Sequence, residues 1–306
     1  MMRILVTGSS GFIGTRVCNF LTSEGHDVIR MDISGDADII ANLSEVDWSD
    51  YEIGPIDGVV HLAAKTSVPE SIEIPDEYEE TNIHGTRRLF DWCTETEVPI
   101  VVFASTAAVY GDSKEEMKSV GREGLPGSPY ASTKLSGEDY AREKSGKKTR
   151  FTCLRFFNVY GPGQRVDSGY SAVIPSFIER VIEGKDLQIF GSGEQTRDFV
   201  HVDDVARVIL GSLQADFGDF QIYNVGSGDG VSINSLAGKI REMARSFDLE
   251  SPQILHLSER AGDVSHSIAD IENLGELIEV SSMKTFEEGL EILMSYEVER
   301  ARGMGN

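Results

Sequence analysis

The sequence predicts an α/β fold in which helices cover both faces of a parallel β-sheet. Short runs of β-branched and other apolar residues recur through the first half of the chain, and amphipathic stretches of helical length separate them. The runs predict strands at residues 4–7, 28–31, 59–62, 100–103 and 151–154. In the first amphipathic stretch, the apolar residues from Phe12 to Leu21 share one helical face, and Gly25 is placed to end the helix.

The alternation loosens after residue 158, where Gly161-Pro162-Gly163 marks a boundary. We therefore expect a first domain over residues 1–158 and a smaller α/β domain over residues 159–197 and 227–306. The stretch 198–226 has the pattern of a strand, a helix and a strand, and we expect it to return to the first sheet. The last dozen residues are rich in charge and glycine, which predicts a frayed tail.

The composition limits the classes of partner. The formal net charge of −23 argues against a nucleic-acid partner, because phosphate binding needs a basic surface. Cys18, Cys93 and Cys153 are odd in number and far apart, which favours reduced thiols over a disulfide or metal role. The apolar run at the N-terminus is too short for a signal peptide, and no run approaches membrane-spanning length. We therefore expect a soluble, cytoplasmic protein that binds no metal, nucleic acid or membrane.

Three glycines, Gly8, Gly11 and Gly14, lie where the first strand turns into the first helix. Glycine permits a tight turn there and lets the backbone approach a pyrophosphate, which the free N–H groups of the helix attract. Asp32 ends the second strand, where its carboxylate can bind a ribose diol and repel a 2′-phosphate. Together these features predict a Rossmann-type, doubly wound sheet that binds NAD rather than NADP.

A second pattern predicts proton-transfer chemistry. Tyr130 and Lys134 are four residues apart and hence share one face of a helix. The ordinary pKa of a phenol is about 10, so it becomes a useful base only where a neighbouring cation stabilises the phenolate. Ser105 and Thr106 end a predicted strand, at the edge where open α/β sheets bind their ligands.

These motifs, in this order, resemble the extended short-chain dehydrogenase/reductase family, and within it the NAD-dependent nucleotide-sugar epimerase/dehydratase branch. The resemblance covers about residues 2–275. It is carried by the glycine loop and by six further motifs: His61-Leu62-Ala63-Ala64, Thr81-Asn82-x-x-Gly85-Thr86, Ser105-Thr106-Ala107-Ala108-Val109-Tyr110-Gly111, Tyr130-x-x-x-Lys134, Leu154-Arg155-Phe156-Phe157-Asn158-Val159-Tyr160-Gly161-Pro162-Gly163 and Arg197-Asp198-Phe199-Val200-His201-Val202-Asp203-Asp204.

The resemblance implies roles for the catalytic residues. By matching position, Tyr130 is the general base, and Lys134 lowers its pKa and holds the ribose of the cofactor. The hydroxyl of Thr106 binds the reacting oxygen, with Ser105, one residue earlier, as the alternative. The first domain is then expected to bind NAD and the second to bind the nucleotide sugar.

The resemblance also implies contacts with the cofactor. Phe12 and Ile13 would contact the pyrophosphate, and Phe157 would lie near the nicotinamide. Asn42-Leu43 stands where the family has Asp-Leu or Asp-Ile against the adenine. The remaining residues expected in the cofactor groove are Leu62, Ala63, Ala64, Lys65 and Asn82.

An acidic protein that binds a nucleoside diphosphate sugar needs local cations, and Arg197 and Arg260 are the candidates. By resemblance, Arg260-Ala261-Gly262-Asp263 matches an Arg-Pro-Gly-Asp motif without its proline, and Asp263 would accept from the nucleotide ribose. Ser267 is small where some relatives have a bulky residue, which leaves room for an N-acetyl group at C2. The other expected substrate contacts are Asn158 at a phosphate, Phe190 on the base, and Ala172 and Val173 lining the base pocket.

The reaction expected is reversible hydride transfer at C4 of the sugar. Dehydratases of this branch carry Asp-Glu directly after the threonine, whereas this chain has Ala107-Ala108, and neither side chain can transfer a proton. We therefore expect a nucleotide-sugar 4-epimerase of the UDP-glucose/UDP-galactose type. The alternatives are an NAD(P)-dependent sugar or ketone reductase and a non-catalytic NAD-sensing protein. By resemblance the enzyme is a homodimer that pairs through the stretch 82–94 and the helix carrying Tyr130.

Overall fold

The computed structural model describes residues 1–51, 53–165, 172–216, 218–259 and 264–303. Over these residues, strands and helices alternate as the sequence predicts for the first half. The strands are β1 (Arg3–Thr7), β2 (Asp27–Asp32), β3 (Ile39–Ile40), β4 (Gly58–His61), β5 (Ile100–Thr106), β6 (Met117–Lys118), β7 (Arg150–Phe156), β8 (Asn158–Tyr160), β9 (Leu187–Phe190), β10 (Thr196–His201), β11 (Phe220–Val225), β12 (Gly230–Ser232), β13 (Ile254–Leu257) and β14 (His266–Ala269). The α-helices are α1 (Phe12–Ser23), α2 (Val68–Glu73), α3 (Pro75–Glu79), α4 (Thr86–Glu95), α5 (Pro129–Lys144), α6 (Val173–Ile182), α7 (Val202–Gln214), α8 (Ile233–Ser246) and α9 (Phe286–Ala301). A π-helix (Glu80–Gly85) joins α3 to α4, and short 3₁₀ helices lie at Trp48–Asp50, Ala107–Tyr110, Glu272–Glu276 and Val280–Ser282.

The large sheet has seven strands in the order β11-β7-β5-β4-β1-β2-β3, all parallel. The chain runs outward from β1 through β2 to β3, and then outward from β4 on the other side. The direction of winding therefore reverses between β1 and β4, and a crevice for ligands opens at the carboxyl ends of these strands. The predicted doubly wound parallel sheet is confirmed.

Both faces of this sheet are covered by helices. On one face, α1 and α7 pack against β1, β4, β5 and β7 in an apolar core that includes Val17, Leu21 and Val205. On the other face, α4 and α5 pack over a core that includes Phe90 and Phe103. The central strands β1, β4 and β5 are buried almost throughout, and this explains why the sequence shows continuous apolar runs there rather than alternation.

A second sheet lies beside the first, with β10 in its middle. Its order is β12-β10-β14-β6, and β8 also pairs with β10. The stretch 198–226 is thus divided between the two sheets. Its first strand, β10, belongs to the second sheet, whereas α7 packs on the large sheet and β11 adds to β7 at its edge.

The predicted frayed tail is wrong over most of its length. Helix α9 continues to Ala301, and Thr285 with Glu288 forms a capping box at its start. Leu293, Met294 and Val298 are buried against α6 and α8, and this packing holds the helix although its exposed face is highly charged.

Asp198 ties the two sheets together. Its carboxylate is fully buried and accepts four hydrogen bonds: from the backbone N–H of Ser227 (2.6 Å), the hydroxyl of Ser227 (2.8 Å), the N–H of Gly228 (2.9 Å) and the N–H of Ala269 (3.0 Å). One side chain of β10 therefore fixes both the loop after β11 and strand β14. A buried carboxylate is stable in such a place only because donors surround it.

We expect Asp198→Ala to lower the free energy of unfolding by about 3 kcal/mol or more, because it leaves buried N–H groups without acceptors. Urea unfolding followed by circular dichroism measures this. As the matched control, Asp216→Ala removes an exposed carboxylate paired with Arg150 and should change the free energy by less than about 1 kcal/mol. Equal losses in the two variants would contradict the role given to Asp198.

Candidate active site

The glycine loop folds as a cradle for a phosphate group. Gly8 has a φ of +71°, and a Cβ there would lie 2.6 Å from the backbone nitrogen of Ala63. A Cβ on Gly14 would lie 2.0 Å from the carbonyl oxygen of Gly8. Gly11 caps α1 without a side-chain hydrogen bond, and the hydroxyl of Ser9 is buried without a partner in the described chain. Free N–H groups at the start of α1 and an unpartnered hydroxyl fit the pyrophosphate of NAD.

Asp32 lies at the end of β2, next to the glycine loop. One carboxylate oxygen accepts from the N–H of Ser10 (2.9 Å) and the other from the N–H of Ile33 (2.8 Å). The side chain is partly exposed, so each oxygen keeps a lone pair for a ribose hydroxyl. Asn42 uses its amide oxygen to accept from Ser44, and Leu43 is buried in the core. The roles of Asn42 and Leu43 at the adenine stay a prediction.

Asn82 holds the cofactor groove against the catalytic helix. Its amide oxygen accepts from the N–H of Lys65 (2.9 Å), and its amide nitrogen donates to the carbonyl of Lys65 (3.0 Å) and the hydroxyl of Thr133 (3.1 Å). The π-helix carries Asn82 between these groups. The segment after β4, with Leu62, Ala63 and Ala64 partly exposed, is thereby fixed beside α5. Sequence reasoning placed Asn82 in the groove but did not foresee this bridge.

The catalytic pair lies in the first two turns of α5. Ser128 accepts a hydrogen bond from the N–H of Ala131, so the helix begins at Pro129 and Tyr130 stands in its first turn. Tyr130 is 9% exposed, and the Thr106 hydroxyl lies close enough to its phenol to affect its pKa. Burial raises the pKa of Tyr130, and the Thr106 hydroxyl opposes this. The phenol therefore needs further positive charge to act as a base near neutral pH.

Lys134 is the buried cation beside this phenol. Its ammonium donates to the carbonyl of Ala104 (2.8 Å) and lies 4.9 Å from the ring centre of Phe103. Burial lowers the pKa of Lys134 to about 7, and the carboxylate of Glu138 opposes the shift. Lys134 can thus gain or lose its proton close to neutral pH.

The two candidate hydroxyls at the end of β5 have different partners. Thr106 accepts from the N–H of Ala108 (3.1 Å), and its hydroxyl lowers the pKa of the nearby Tyr130 phenol. Ser105 donates its hydroxyl to the carboxylate of Glu138 instead. Of the two, the geometry favours Thr106 for the catalytic role.

Apolar residues follow Thr106 in the candidate site. Ala107 and Ala108 form the 3₁₀ helix after Thr106, and Phe157 is buried against the ring of Tyr110, with 6.3 Å between ring centres. His61 is buried, and its two ring nitrogens form hydrogen bonds with the hydroxyls of Thr7 (2.8 Å) and Thr86. Burial and the Lys134 charge lower the pKa of His61 to about 3, so it stays neutral and has a packing role.

Three of the candidate substrate residues, Arg197, Ser267 and Asn158, lie on the second sheet. Arg197 of β10 pairs in register with Ser267 of β14, so these two predicted residues are neighbours. Asn158 of β8 donates its amide to the carbonyl of Asp198 (3.0 Å) and therefore lies beside the same strand. Ala172 and Val173 start α6, and Phe190 ends β9 partly exposed. Arg260 and Asp263 lie outside the described residues.

Sequence reasoning missed Glu138 and its partner Arg155. Glu138 follows Lys134 by four residues and Tyr130 by eight, so the spacing Tyr-x-x-x-Lys-x-x-x-Glu puts all three on one helical face. That spacing was a signal available in the sequence. In the part of the chain that the structure describes, no cluster of His, Cys, Asp or Glu could hold a metal ion, and no helix could span a membrane.

We expect Gly14→Ala to weaken NAD binding by about tenfold or more, because the new methyl group would collide with the carbonyl of Gly8 and displace the phosphate cradle. Isothermal titration with NAD measures the effect. Gly146→Ala adds the same methyl group where nothing lies within 4 Å and should leave the affinity unchanged. Wild-type NAD affinity in a folded Gly14→Ala protein would refute the assignment.

Known proteins resemble the chain over nearly its whole length. A model of the NAD dependent epimerase/dehydratase family matches residues 4–226. UDP-glucuronate 4-epimerase of Thermodesulfobacterium geofontis is 32% identical over 320 residues, which cover 96% of this chain and 96% of that protein.

Solved structures agree with this likeness. A UDP-N-acetylglucosamine 4-epimerase from Methanobrevibacter ruminantium, in complex with UDP-N-acetylmuramic acid, has a TM-score of 0.87 at 32% identity, covering 98% of this chain and 99% of that one. The Thermus thermophilus UDP-glucose 4-epimerase in complex with NAD has a TM-score of 0.81 at 28% identity, covering 99% of both chains. The chain therefore belongs to the NAD-dependent epimerase/dehydratase family.

Proposed function

We propose that the protein is an NAD-dependent nucleotide-sugar 4-epimerase, of the UDP-glucose/UDP-galactose type and with room for N-acetylated sugars. The observation that carries the proposal is the grouping of Tyr130, Thr106 and Lys134 at the carboxyl edge of the sheet, beside a phosphate cradle. Solved structures of 4-epimerases for different nucleotide sugars share this architecture. Their different sugars leave the substrate of this chain as part of the proposal.

Tyr130, Thr106 and Lys134 have separate roles in the proposed proton transfer. Bound NAD supplies the acceptor and donor of the hydride. Tyr130, as phenolate, takes the proton of the C4 hydroxyl, and Thr106 donates a hydrogen bond to the same oxygen. Lys134 stabilises the phenolate by its charge. The 4-ketosugar then turns over in the site, and return of the hydride to its opposite face would invert the configuration at C4 while Tyr130 gives the proton back to the oxygen.

The alanines after Thr106 favour epimerisation over elimination. Removing water across C5 and C6, or carbon dioxide from a sugar acid, requires another acid or base near the ring. Ala107 and Ala108 cannot act in this way, and the neighbouring phenol of Tyr110 is buried and bonded to Asn224 (2.6 Å). A reductase, the first alternative, would consume the reduced cofactor in proportion to product. A sensing protein would have no need of the catalytic pair.

The nucleotide and the sugar are proposed to lie across the second sheet. Arg197 would bind the diphosphate, together with Arg260 and the amide of Asn158. Ser267, paired with Arg197 in register, would border the C2 substituent and leave space for an acetamido group. Asp263 would bind the ribose, while the base would lie between Phe190 and the segment formed by Ala172 and Val173.

The proposed domain division assigns residues 1–158 to NAD binding, and residues 159–197 and 227–306 to the nucleotide sugar.

We further propose a cytoplasmic location, which Cys18, Cys93 and Cys153 support as buried, unpaired thiols.

A homodimer is proposed in which α4 and α5 of two copies pair about a two-fold axis. Arg87 and Arg88 are exposed on α4, and Asp139 and Glu143 are exposed on α5. Because an isologous interface brings each patch against its symmetry mate, α4 cations of one copy can face α5 carboxylates of the other.

The activity test uses the purified protein without added cofactor. Incubation with UDP-galactose should yield UDP-glucose, and UDP-N-acetylgalactosamine should be converted as well if Ser267 leaves the C2 pocket open. UDP-galacturonate serves as the third substrate, and chromatography of the nucleotide sugars measures all three. If none of the three substrates is converted even after NAD is added, the proposed function is overturned.

Tyr130→Phe should lower kcat by about 10²- to 10⁴-fold, because it removes the base while keeping the ring. Binding of NAD, measured by titration, should persist. Tyr140→Phe removes another phenol from the same helix, almost three turns away and bonded to Asp91, and should keep kcat within about twofold. Full activity of Tyr130→Phe would be incompatible with the mechanism.

Sedimentation should give twice the chain mass for the wild type, and Arg88→Glu should shift the protein towards monomer, because it places like charges across the interface. Arg245→Glu makes the same change on the exposed side of α8 and should not alter the mass. A monomeric wild type would refute the dimer.

A further inference from the structure

A buried ionic cluster lies beneath the catalytic pair, and the mechanism above does not use it. Arg155 of β7 and Glu138 of α5 are each 2% exposed. They form a two-pronged ion pair, with the Arg155 Nε 2.9 Å from one carboxylate oxygen and an Nη 2.6 Å from the other. Ser105 donates to the same carboxylate, and Glu123 binds the far side of Arg155. We name these four residues the Glu138 cluster.

This cluster restrains each element that carries the catalytic groups. Ser105 precedes Thr106 on β5, and Glu138 lies on α5 with Tyr130 and Lys134. The Arg155 guanidinium also stacks over the ring of Tyr110, 4.9 Å from its centre, just after Thr106. The strand, the helix and the 3₁₀ helix therefore meet at one ion pair.

The carboxylate of Glu138 is also the counter-charge of Lys134. The two residues are one turn apart on α5, and both are buried. His61 of β4 is held neutral by burial, and burial raises the pKa of the Cys153 thiol on β7 well above its ordinary value. The charged and titratable groups that face Glu138 and the catalytic pair are His61 from β4, Ser105 from β5, Cys153 and Arg155 from β7, Tyr78 from α3, and Tyr130 and Lys134 from α5.

We propose that Glu138, held in place by Arg155 and Ser105, is a positioning residue that keeps the Lys134 ammonium charged and thereby sets the pH at which Tyr130 acts as the base. This inference rests on the proposed function for its kinetic test only. An ion pair that served packing alone would need no lysine beside it.

The sign of the effect follows from the charges. With Glu138 ionised, the pKa of Lys134 is about 7, because the carboxylate partly offsets burial. In Glu138→Gln that offset is lost, so burial acts on the pKa of Lys134 without the carboxylate that opposed it. The pKa of Lys134 then falls, the ammonium is lost at neutral pH, and the Tyr130 phenolate loses its counter-ion. A higher pH is then needed to form the phenolate.

The test compares Glu138→Gln with Glu123→Gln, since each variant takes one carboxylate from Arg155 but only Glu138 faces Lys134. In Glu138→Gln, the acid limb of the kcat profile should move up by about one pH unit, and kcat at pH 7 should fall about tenfold, with KM little changed. In Glu123→Gln the limb should stay at its wild-type position. Glu138→Asp keeps the negative charge, so the acid limb of its kcat profile should lie closer to the wild-type position than the limb of Glu138→Gln does.

A second readout does not depend on turnover. The near-ultraviolet absorbance of the phenolate, taken as the difference between each protein and its Tyr130→Phe counterpart across the pH range, reports Tyr130 directly. Its midpoint should rise by about one pH unit in Glu138→Gln and stay unchanged in Glu123→Gln. If Glu138→Gln does not fold, the double variant Glu138→Gln/Arg155→Met removes both buried charges together, and its midpoint should rise in the same way.

The two hypotheses fail separately. A wild type that titrates as described but does not epimerise any sugar nucleotide would overturn the proposed function and leave the inference standing. If the folded Glu138→Gln variant or the double variant shows the wild-type midpoint of phenolate absorbance and the wild-type acid limb of the kcat profile, the inference is overturned. The proposed epimerase function is not affected by that result. In that case the cluster serves packing alone.

Discussion

The site depends on one constraint: a lysine must carry its charge while almost completely removed from water. Desolvation makes the charged form of Lys134 unfavourable, and only a few groups are available to compensate. The carbonyl of Ala104, the ring of Phe103 and the carboxylate of Glu138 provide that compensation from three directions. The same burial makes the ammonium effective, because its field acts on Tyr130 through a medium of low polarity.

The fold supplies the positions that this electrostatic arrangement needs. Parallel strands end at one edge, so that β1, β4 and β5 deliver the glycine loop, the segment of Leu62 to Lys65 and the hydroxyl of Thr106 to the same crevice. Helix α5 approaches this edge with its first turn, where Ser128 and Pro129 fix its start. Asp198 then adds buried hydrogen bonds to the apolar packing that joins the second sheet to the first.

Local motifs made much of this predictable from the sequence. The glycine loop, Asp32 and the Tyr130/Lys134 spacing each depend on a few consecutive residues, and the comparisons confirm the fold and family that they indicate. Features set by distant residues were not predictable in the same way. β10 lies outside the large sheet, where β8, β12 and β14 pair with it, and β6 pairs with β14 across about half the chain. Helix α9 looked like a charged tail because its stabilising contacts come from α6 and α8.

The place of β11 at the edge of the large sheet has a consequence for how the chain acquires its structure. Phe220 pairs with Phe151, so β7 has one open hydrogen-bonding edge until the ribosome has delivered residues far beyond it. The first half of the nascent polypeptide can form strands and helices, but its sheet lacks the edge strand β11. Completion waits for a late, non-local step of the kind that slows folding and exposes newborn chains to aggregation.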